Sequence, residues 1–150
     1  MKITREQYIK LLEVVSIGNS VLGILGDVAP EEFKEKSKEA EEIESLLLAS
    51  AEDFGCKDIT EEFSGKTILK DEVWEEFQES LKEYDDYIFW FELETKMGKR
   101  DFRRTETKEE RREIEKSHGI LPDRIFNLYE KYGEEFETYG IERLEIKSGK

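Results

Sequence analysis

Apolar residues recur at steps of three and four along most of this 150-residue chain, which contains only two prolines, Pro30 and Pro122. That spacing places apolar side chains on one face of an α-helix. Because proline interrupts helices more strongly than any other residue, a chain with so few can be helical over most of its length. The sequence therefore predicts a mainly α fold.

Two capping boxes indicate where helices begin. The Thr4 side chain can accept a hydrogen bond from the backbone N–H of Gln7, whose own side chain can reach back, and Thr107 and Glu110 repeat this arrangement. The second box opens a short polar helix. The apolar spacing predicts four longer helices, over residues 4–26, 30–54, 71–84 and 122–139.

The stretch 87–105 allows two interpretations. Its apolar spacing continues that of a helix, but Phe89, Phe91 and Leu93 also alternate with their neighbours as in a strand, and 96–99 could then turn a hairpin. We favour the helix, because the helical spacing is sustained for longer. The predicted architecture is an antiparallel bundle of four or five helices, which becomes α+β if 87–105 forms a small hairpin.

The segment 56–69 gives mixed signals. Residues 58–61 can cap a short helical turn that ends at Gly65, and 67–69 suits extended chain but is too short to predict a sheet. We expect an irregular connection here. Because the sequence shows no internal repeat and no linker, we expect one helical domain over 1–150.

The chain is strongly acidic, with 38 Asp and Glu against 24 Lys and Arg and a net charge of −14. Such a chain is repelled by the phosphates of nucleic acids and by anionic membrane surfaces. We therefore expect neither general nucleic-acid binding nor membrane binding. A solubilising surface is the simplest interpretation of the charge, and binding of a basic protein partner or imitation of nucleic acid is the alternative.

Cysteine usage and hydropathy bear on location. The single cysteine, Cys56, permits no internal disulfide, which suits a reducing cytoplasm. The most apolar run, Val14 to Ala29, is interrupted by Asn19 and Asp27, and we expect it to be too short and too polar to span a bilayer. We expect a cytoplasmic protein.

The first predicted helix is apolar on all sides from Val14 onward, because Ile17, Val21 and Ile24 fill the side opposite its main apolar face. A helix of this kind is usually central in its fold or covered by a partner chain. A homo-oligomer formed through this helix is therefore plausible.

Charge is unevenly distributed along the chain. Residues 96–116 hold nine bases and six acids, so this basic island is net +3 within a chain that is otherwise −17. The island can receive a phosphate or an acidic partner segment, or it can pair with Glu-rich faces of neighbouring helices, which we favour. The candidate partner-binding residues are its first five bases and two tyrosines of the last helix: Lys96, Lys99, Arg100, Arg103, Arg104, Tyr129 and Tyr132.

Glu-Glu-x-x-Glu runs offer an alternative. Carboxylates one helical turn apart can share Mg²⁺, and a later Glu-x-x-Asp resembles the pattern of all-helical nucleotide pyrophosphatases. Such a hydrolase would use Mg²⁺ as its only cofactor. All of the ligands fall on one predicted helix, however, whereas the site needs two. The candidate metal ligands are Glu75, Glu76, Glu79, Glu83 and Asp86.

Other chemistry has little support. Cys56 and His118 are the only thiol and imidazole, and the sequence contains no phosphate-binding glycine loop or nucleophile motif. Without the magnesium alternative, no cofactor is expected. The sequence favours a non-enzymatic interaction or regulatory domain, for example an immunity- or antitoxin-type binder of a basic partner.

Overall fold

The computed structural model describes residues 3–145, which form five α-helices and one two-stranded hairpin and are 76% helical in total. This confirms the mainly α fold. Two short 3₁₀ turns follow the second helix. In chain order the elements are α1 (Arg5–Val28), α2 (Glu32–Ala49), the 3₁₀ turns (Ala51–Phe54 and Lys57–Ile59), β1 (Thr60–Phe63), β2 (Lys66–Leu69), α3 (Asp71–Thr105), α4 (Lys108–Lys116) and α5 (Arg124–Tyr139).

The chain divides into two compact units, Met1–Glu83 and Tyr84–Lys150, and α3 contributes residues to both. The first unit contains α1, α2, the hairpin and the start of α3. The second contains the rest of α3 with α4 and α5. The expectation of one domain over 1–150 stays a prediction.

In the first unit, α1 and α2 form an antiparallel pair. Near one end the Tyr8 hydroxyl donates to the Leu47 carbonyl, and near the other the Gly26 backbone lies against Ser37. A Cβ at Gly26 would come within 2.9 Å of the Ser37 Cβ, so glycine permits this close approach. The capping box at Thr4 is confirmed as the start of α1.

The core of the first unit lies between α1, α2, the hairpin and α3. Tyr8 is fully buried, and its ring stacks on that of Phe54 with the centroids 4.5 Å apart. Burying this much aromatic surface is the main source of stability for a unit of this size. The buried core residues are Tyr8, Leu12, Leu48, Ala51, Cys56, Leu69 and Phe77.

The connection over 56–69 is more ordered than expected. The predicted helical turn is wrong beyond Ile59, because β1 and β2 pair as an antiparallel hairpin with Thr60 opposite Leu69. Ser64 and Gly65 both have positive φ, as a two-residue hairpin turn requires. Buried Leu69 anchors the hairpin in the core.

The helix favoured over 87–105 is confirmed, because α3 runs without a break from Asp71 to Thr105. The alternative hairpin at 87–105 is therefore wrong. Phe89 and Phe91, whose alternation suggested a strand, are half-exposed on the helix surface. Period-two alternation over so few residues also arises on a helix whose exposed side carries aromatics.

In the second unit, α3, α4 and α5 surround a small core. Phe102, Ile125 and Phe136 are buried, and the ring of Trp90 packs 5.8 Å from that of Phe136. The second capping box is confirmed, since Thr107 caps α4 as expected.

The length and hydropathy of α1 suffice to cross a membrane. Its most apolar 18-residue window has a mean hydropathy of 1.5, and 17% of that window is buried. Core helices and leader sequences satisfy the same criterion. The expectation that the chain does not bind a membrane stays a prediction.

Candidate partner-binding surfaces

One face of α2 carries a continuous row of carboxylates. Glu32, Glu35, Glu39 and Glu42 follow one another at steps of three, four and three, so they line up along the helix, and all four are exposed. The next step of four reaches Leu46, which is 70% exposed. We call these five residues the acidic ridge.

The carboxylates near the ridge differ in their pairing. Beside the ridge, Glu31 pairs with Lys34 at 2.9 Å and Glu41 with Lys66 at 3.6 Å. Within residues 3–145, by contrast, no ion pair joins Glu35, Glu39 or Glu42 to a base. Three carboxylates in the middle of the row are therefore available to a cation from outside.

The apolar end of the ridge adjoins a shallow groove of about 550 Å³ between α2 and the hairpin. Leu46 lies on its wall together with Lys38, Glu42 and Lys66. Ile43, one turn before, is also half-exposed. A partner that follows the ridge would meet carboxylates first and an apolar contact at the end.

Among the described residues, four of the nine bases of the basic island form ion pairs, all with acids close to them in the chain. Lys96 pairs with Glu92 at 2.9 Å, while Arg100 and Arg104 both contact Asp101. We expected the island to pair with Glu-rich faces of neighbouring helices, and for these three bases that is wrong. Their partners lie on α3 itself: Glu92 and Asp101 lie one turn from Lys96 and Arg104, and Asp101 directly follows Arg100.

Lys99 and Arg103 differ from the other three bases. Both are exposed, and neither takes part in an ion pair within residues 3–145. They border a cavity of about 300 Å³ in the second unit, whose apolar lining includes Phe102, Ile114 and Ile125. Of the five predicted bases, these two are the ones that remain available to an acidic group.

The Tyr132 hydroxyl forms hydrogen bonds to charged side chains of its own unit and is not left free for a partner protein. Its half-buried hydroxyl donates to Asp101 and accepts a hydrogen bond from Arg100 at 3.0 Å. The hydrogen bonds from Arg100 and Tyr132 hold the pKa of the Asp101 carboxyl below its usual value. Burial, reinforced by Asp101, raises the pKa of the Tyr132 phenol. These contacts tie α5 to α3.

Tyr129 packs beside Gly98 of α3, so closely that a Cβ at Gly98 would come within 2.5 Å of the ring. Its ring also makes an edge contact with Phe126, and burial raises the pKa of its phenol. Both predicted tyrosines thus serve the packing of the second unit.

A contact that the sequence analysis missed joins α4 to α5. Arg124 binds both carboxylate oxygens of Glu110 and lies over the Phe102 ring, with its guanidinium carbon 4.8 Å from the centroid. The Arg124 hydrogen bond, helped by the Thr107 backbone N–H, lowers the pKa of the Glu110 carboxyl to about 2. The spacing of the residues gave no signal, because Glu110 and Arg124 lie on different helices.

The five candidate metal ligands lie on α3 with exposed side chains: Glu75, Glu76, Glu79, Glu83 and Asp86. Among residues 3–145, no group of three or more His, Cys, Asp or Glu side chains is placed to hold a metal ion. The magnesium alternative stays a prediction.

The only thiol and the only imidazole of the sequence lie in different units. Cys56 is fully buried in the core of the first unit, where burial raises the pKa of its thiol. His118 is exposed in the turn after α4, in the second unit. A buried thiol whose pKa is raised is not activated as a nucleophile.

The chain was compared with known proteins by sequence and by structure. No protein-family model matches it, and neither does any curated protein or solved structure.

Proposed function

We propose that this chain is a non-enzymatic protein-interaction domain that binds a basic partner through the acidic ridge of α2. The observation that carries the proposal is the row Glu35, Glu39 and Glu42, which is exposed, without ion pairs in the described part of the chain, and followed by exposed Leu46. A basic segment with an apolar residue at one end is complementary to this face.

The carboxylates of the ridge repel one another in the free protein, and Lys36 and Lys38, three or four residues away, offset part of this repulsion. Like charges three or four residues apart on a helix destabilise it by about 0.2–0.5 kcal/mol per pair. The ridge contains three successive pairs of this kind, starting at Glu32. A cationic partner removes this repulsion when it binds, so the arrangement favours the complex over the free chain. Binding surfaces often contain residues that serve function and lower the stability of the free protein.

The chain charge supports the same partner class. A net charge of −14 attracts a basic protein from a distance and speeds its association. An immunity- or antitoxin-type binder that neutralises a basic protein in the cytoplasm is the concrete form of this proposal.

The test uses a synthetic helical peptide with lysines along one face and leucines at one end. Its binding is measured by fluorescence anisotropy at low and at moderate salt. Neutralising the ridge by Glu35→Gln, Glu39→Gln and Glu42→Gln is expected to weaken binding by at least about tenfold. The same variant is expected to unfold at nearly the same urea concentration as the wild type, because the substitutions remove the attraction to Lys36 and Lys38 together with the like-charge repulsion.

The matched control neutralises three exposed carboxylates of α3 in the first unit, by Glu75→Gln, Glu79→Gln and Glu83→Gln. It changes the net charge by the same amount and is expected to bind the peptide nearly as the wild type does. Equal losses in both variants would show that binding follows net charge alone, which would overturn the assignment to the ridge.

A further inference from the structure

The α1 helix leaves an apolar face uncovered. Buried Leu12, Ser16 and Gly26 lie on the side that packs on α2, whereas Val14 is 67% exposed and Val28 is 77% exposed. A soluble helix that exposes branched apolar side chains along its whole length is typical of an interaction site.

One line of residues on this face has the spacing of a coiled-coil seam. They follow one another at alternating steps of three and four, which keeps them on one line along the helix. Among residues 3–145, no atom outside the helix lies within 4 Å of a Cβ built at Gly18, so the centre of the seam is open. The seam consists of exposed Leu11, Val14, Val21 and Val28 with half-buried Gly18 and Leu25, and Ile24, which is 60% exposed, lies beside it.

We propose that a second copy of this chain covers the seam, with the two α1 helices antiparallel. In this register Leu11 lies opposite Val28 of the second copy, Val14 opposite Leu25, and Gly18 opposite Val21. Each layer combines an a position with a d position, and the same three layers repeat by two-fold symmetry. The seam is thus complementary to itself.

Side-chain size favours this register over a parallel one. A parallel, in-register pair would set Gly18 against Gly18 and leave a void in the middle of the interface. The antiparallel pair sets Gly18 against Val21 at the centre, where the missing side chain makes room for the valine. Packing without voids is the condition for a specific helix pair.

Charge complementarity also favours a second copy in this orientation. From Val14 to Gly26 the helix has no charged residue, so two copies can approach there despite their net charge of −14 each. Lys10, which pairs with Glu13 at 2.6 Å, lies at one end of the seam, and exposed Asp27 lies at the other. An antiparallel pair brings Lys10 of each copy towards Asp27 of the other, whereas a parallel pair brings the two Asp27 side chains together.

A membrane is the competing occupant, because α1 is apolar and long enough to cross one. Two observations count against it. Leaving α2 would break the hydrogen bond from Asn19 to Glu44 and unpack buried Tyr8. The net charge also repels anionic lipid surfaces. This proposal uses another helix than the acidic ridge, so each can fail without the other.

The oligomeric state is measured by sedimentation velocity over a series of concentrations. The wild type is expected to dimerise reversibly, and Val14→Lys with Val21→Lys is expected to raise the dimer Kd by about a hundredfold or more, because the lysines would be buried without partners. The control Ile43→Lys with Leu46→Lys changes the same number of exposed apolar residues on α2 and is expected to dimerise as the wild type does.

Disulfide trapping tests the orientation. Leu11→Cys and Val28→Cys are made as separate proteins, in which Cys56 stays because it is buried. Mixed under mild oxidation, the two proteins are expected to cross-link to each other, while each alone stays largely uncross-linked. Cross-linking of each protein to itself would show a parallel pair and overturn the register.

A monomeric wild type at the highest soluble concentration would overturn the proposal. So would wild-type binding to phosphatidylcholine vesicles that is lost in the Val14→Lys, Val21→Lys variant, because it would show that the seam faces lipid.

Discussion

Arg124 donates two hydrogen bonds, of 2.8 and 3.1 Å, to the carboxylate of Glu110 and so joins α5 to the first turn of α4. Glu110 also completes the capping box of that helix by accepting from the Thr107 backbone N–H at 2.8 Å. The Glu110 carboxylate thus takes part in the N-terminal capping of α4 and also links α4 to α5.

This double role predicts a pH dependence. Folding lowers the pKa of the Glu110 carboxyl from 4.5 to about 2, so the native state binds this proton less readily than the unfolded state does. The stability that Glu110 contributes is therefore complete above about pH 4.5 and is lost as the pH falls towards 2. Urea unfolding followed by circular dichroism between pH 7 and pH 2.5 measures this loss.

The variant Glu110→Gln isolates the charge, because glutamine also suits the third position of a capping box. It is expected to be less stable than the wild type at neutral pH and to lose less stability on acidification. Glu109→Gln, an exposed neighbour with the same change of charge, is expected to follow the wild-type profile. Parallel profiles for wild type and Glu110→Gln would contradict the prediction.

Substitution by alanine is expected to have opposite effects on stability at Gly98 and at Gly133. A Cβ at Gly98 would come within 2.5 Å of the Tyr129 ring, which is packed in place, so Gly98→Ala is expected to destabilise the second unit by about 1–3 kcal/mol. A Cβ at Gly133 would meet only the Glu94 carboxylate, at 3.0 Å, which can move aside. Gly133→Ala is expected to be neutral or to stabilise by up to about 1 kcal/mol.

Both variants are measured by urea unfolding in a Trp74→Phe background, so that the fluorescence reports only Trp90, which packs in the same unit. If Gly98→Ala proves as stable as Gly133→Ala, the close contact between α3 and α5 at Tyr129 is wrong.

The sequence was sufficient to predict those features of the fold that depend on residues close together in the chain. Thr4 and Thr107 cap their helices as their capping boxes predict, because the bonding partners lie three residues away. The turn at Ser64-Gly65 was equally local but was missed, because Gly65 was interpreted as the end of a helical turn. A Ser-Gly pair between two short β-type runs is itself a hairpin signal.

Contacts between helices could not be predicted in the same way. Apolarity alone favours Ile43 over its neighbour Glu44 as the residue of α2 that packs on α1. In the structure Ile43 is 52% exposed and Glu44 is half-buried, because Asn19 of α1 donates to its carboxylate. A hydrogen-bond partner of this kind can be identified only once the packing of α1 on α2 is known. The availability of the acidic ridge likewise depends on which neighbouring bases are engaged elsewhere.

A last prediction concerns two serines of α1 that face different surroundings. The Ser16 side chain is buried against α2, and its hydroxyl has no hydrogen-bond partner within residues 3–145. The Ser20 hydroxyl, one turn later, donates to the Ser16 carbonyl at 3.0 Å. A buried hydroxyl without a partner costs about 1–3 kcal/mol, and alanine is also the better helix former.

Ser16→Ala is therefore expected to raise the free energy of unfolding of the first unit by about 1–2 kcal/mol. Ser20→Ala makes the same chemical change but gives up an existing hydrogen bond, so its effect is expected to stay within about 0.5 kcal/mol. In a Trp90→Phe background, the fluorescence of Trp74, on α3 in the same unit, follows the unfolding in urea. A loss of stability in Ser16→Ala would mean that the hydroxyl has a partner in solution, which for a site this buried would be an ordered water between α1 and α2.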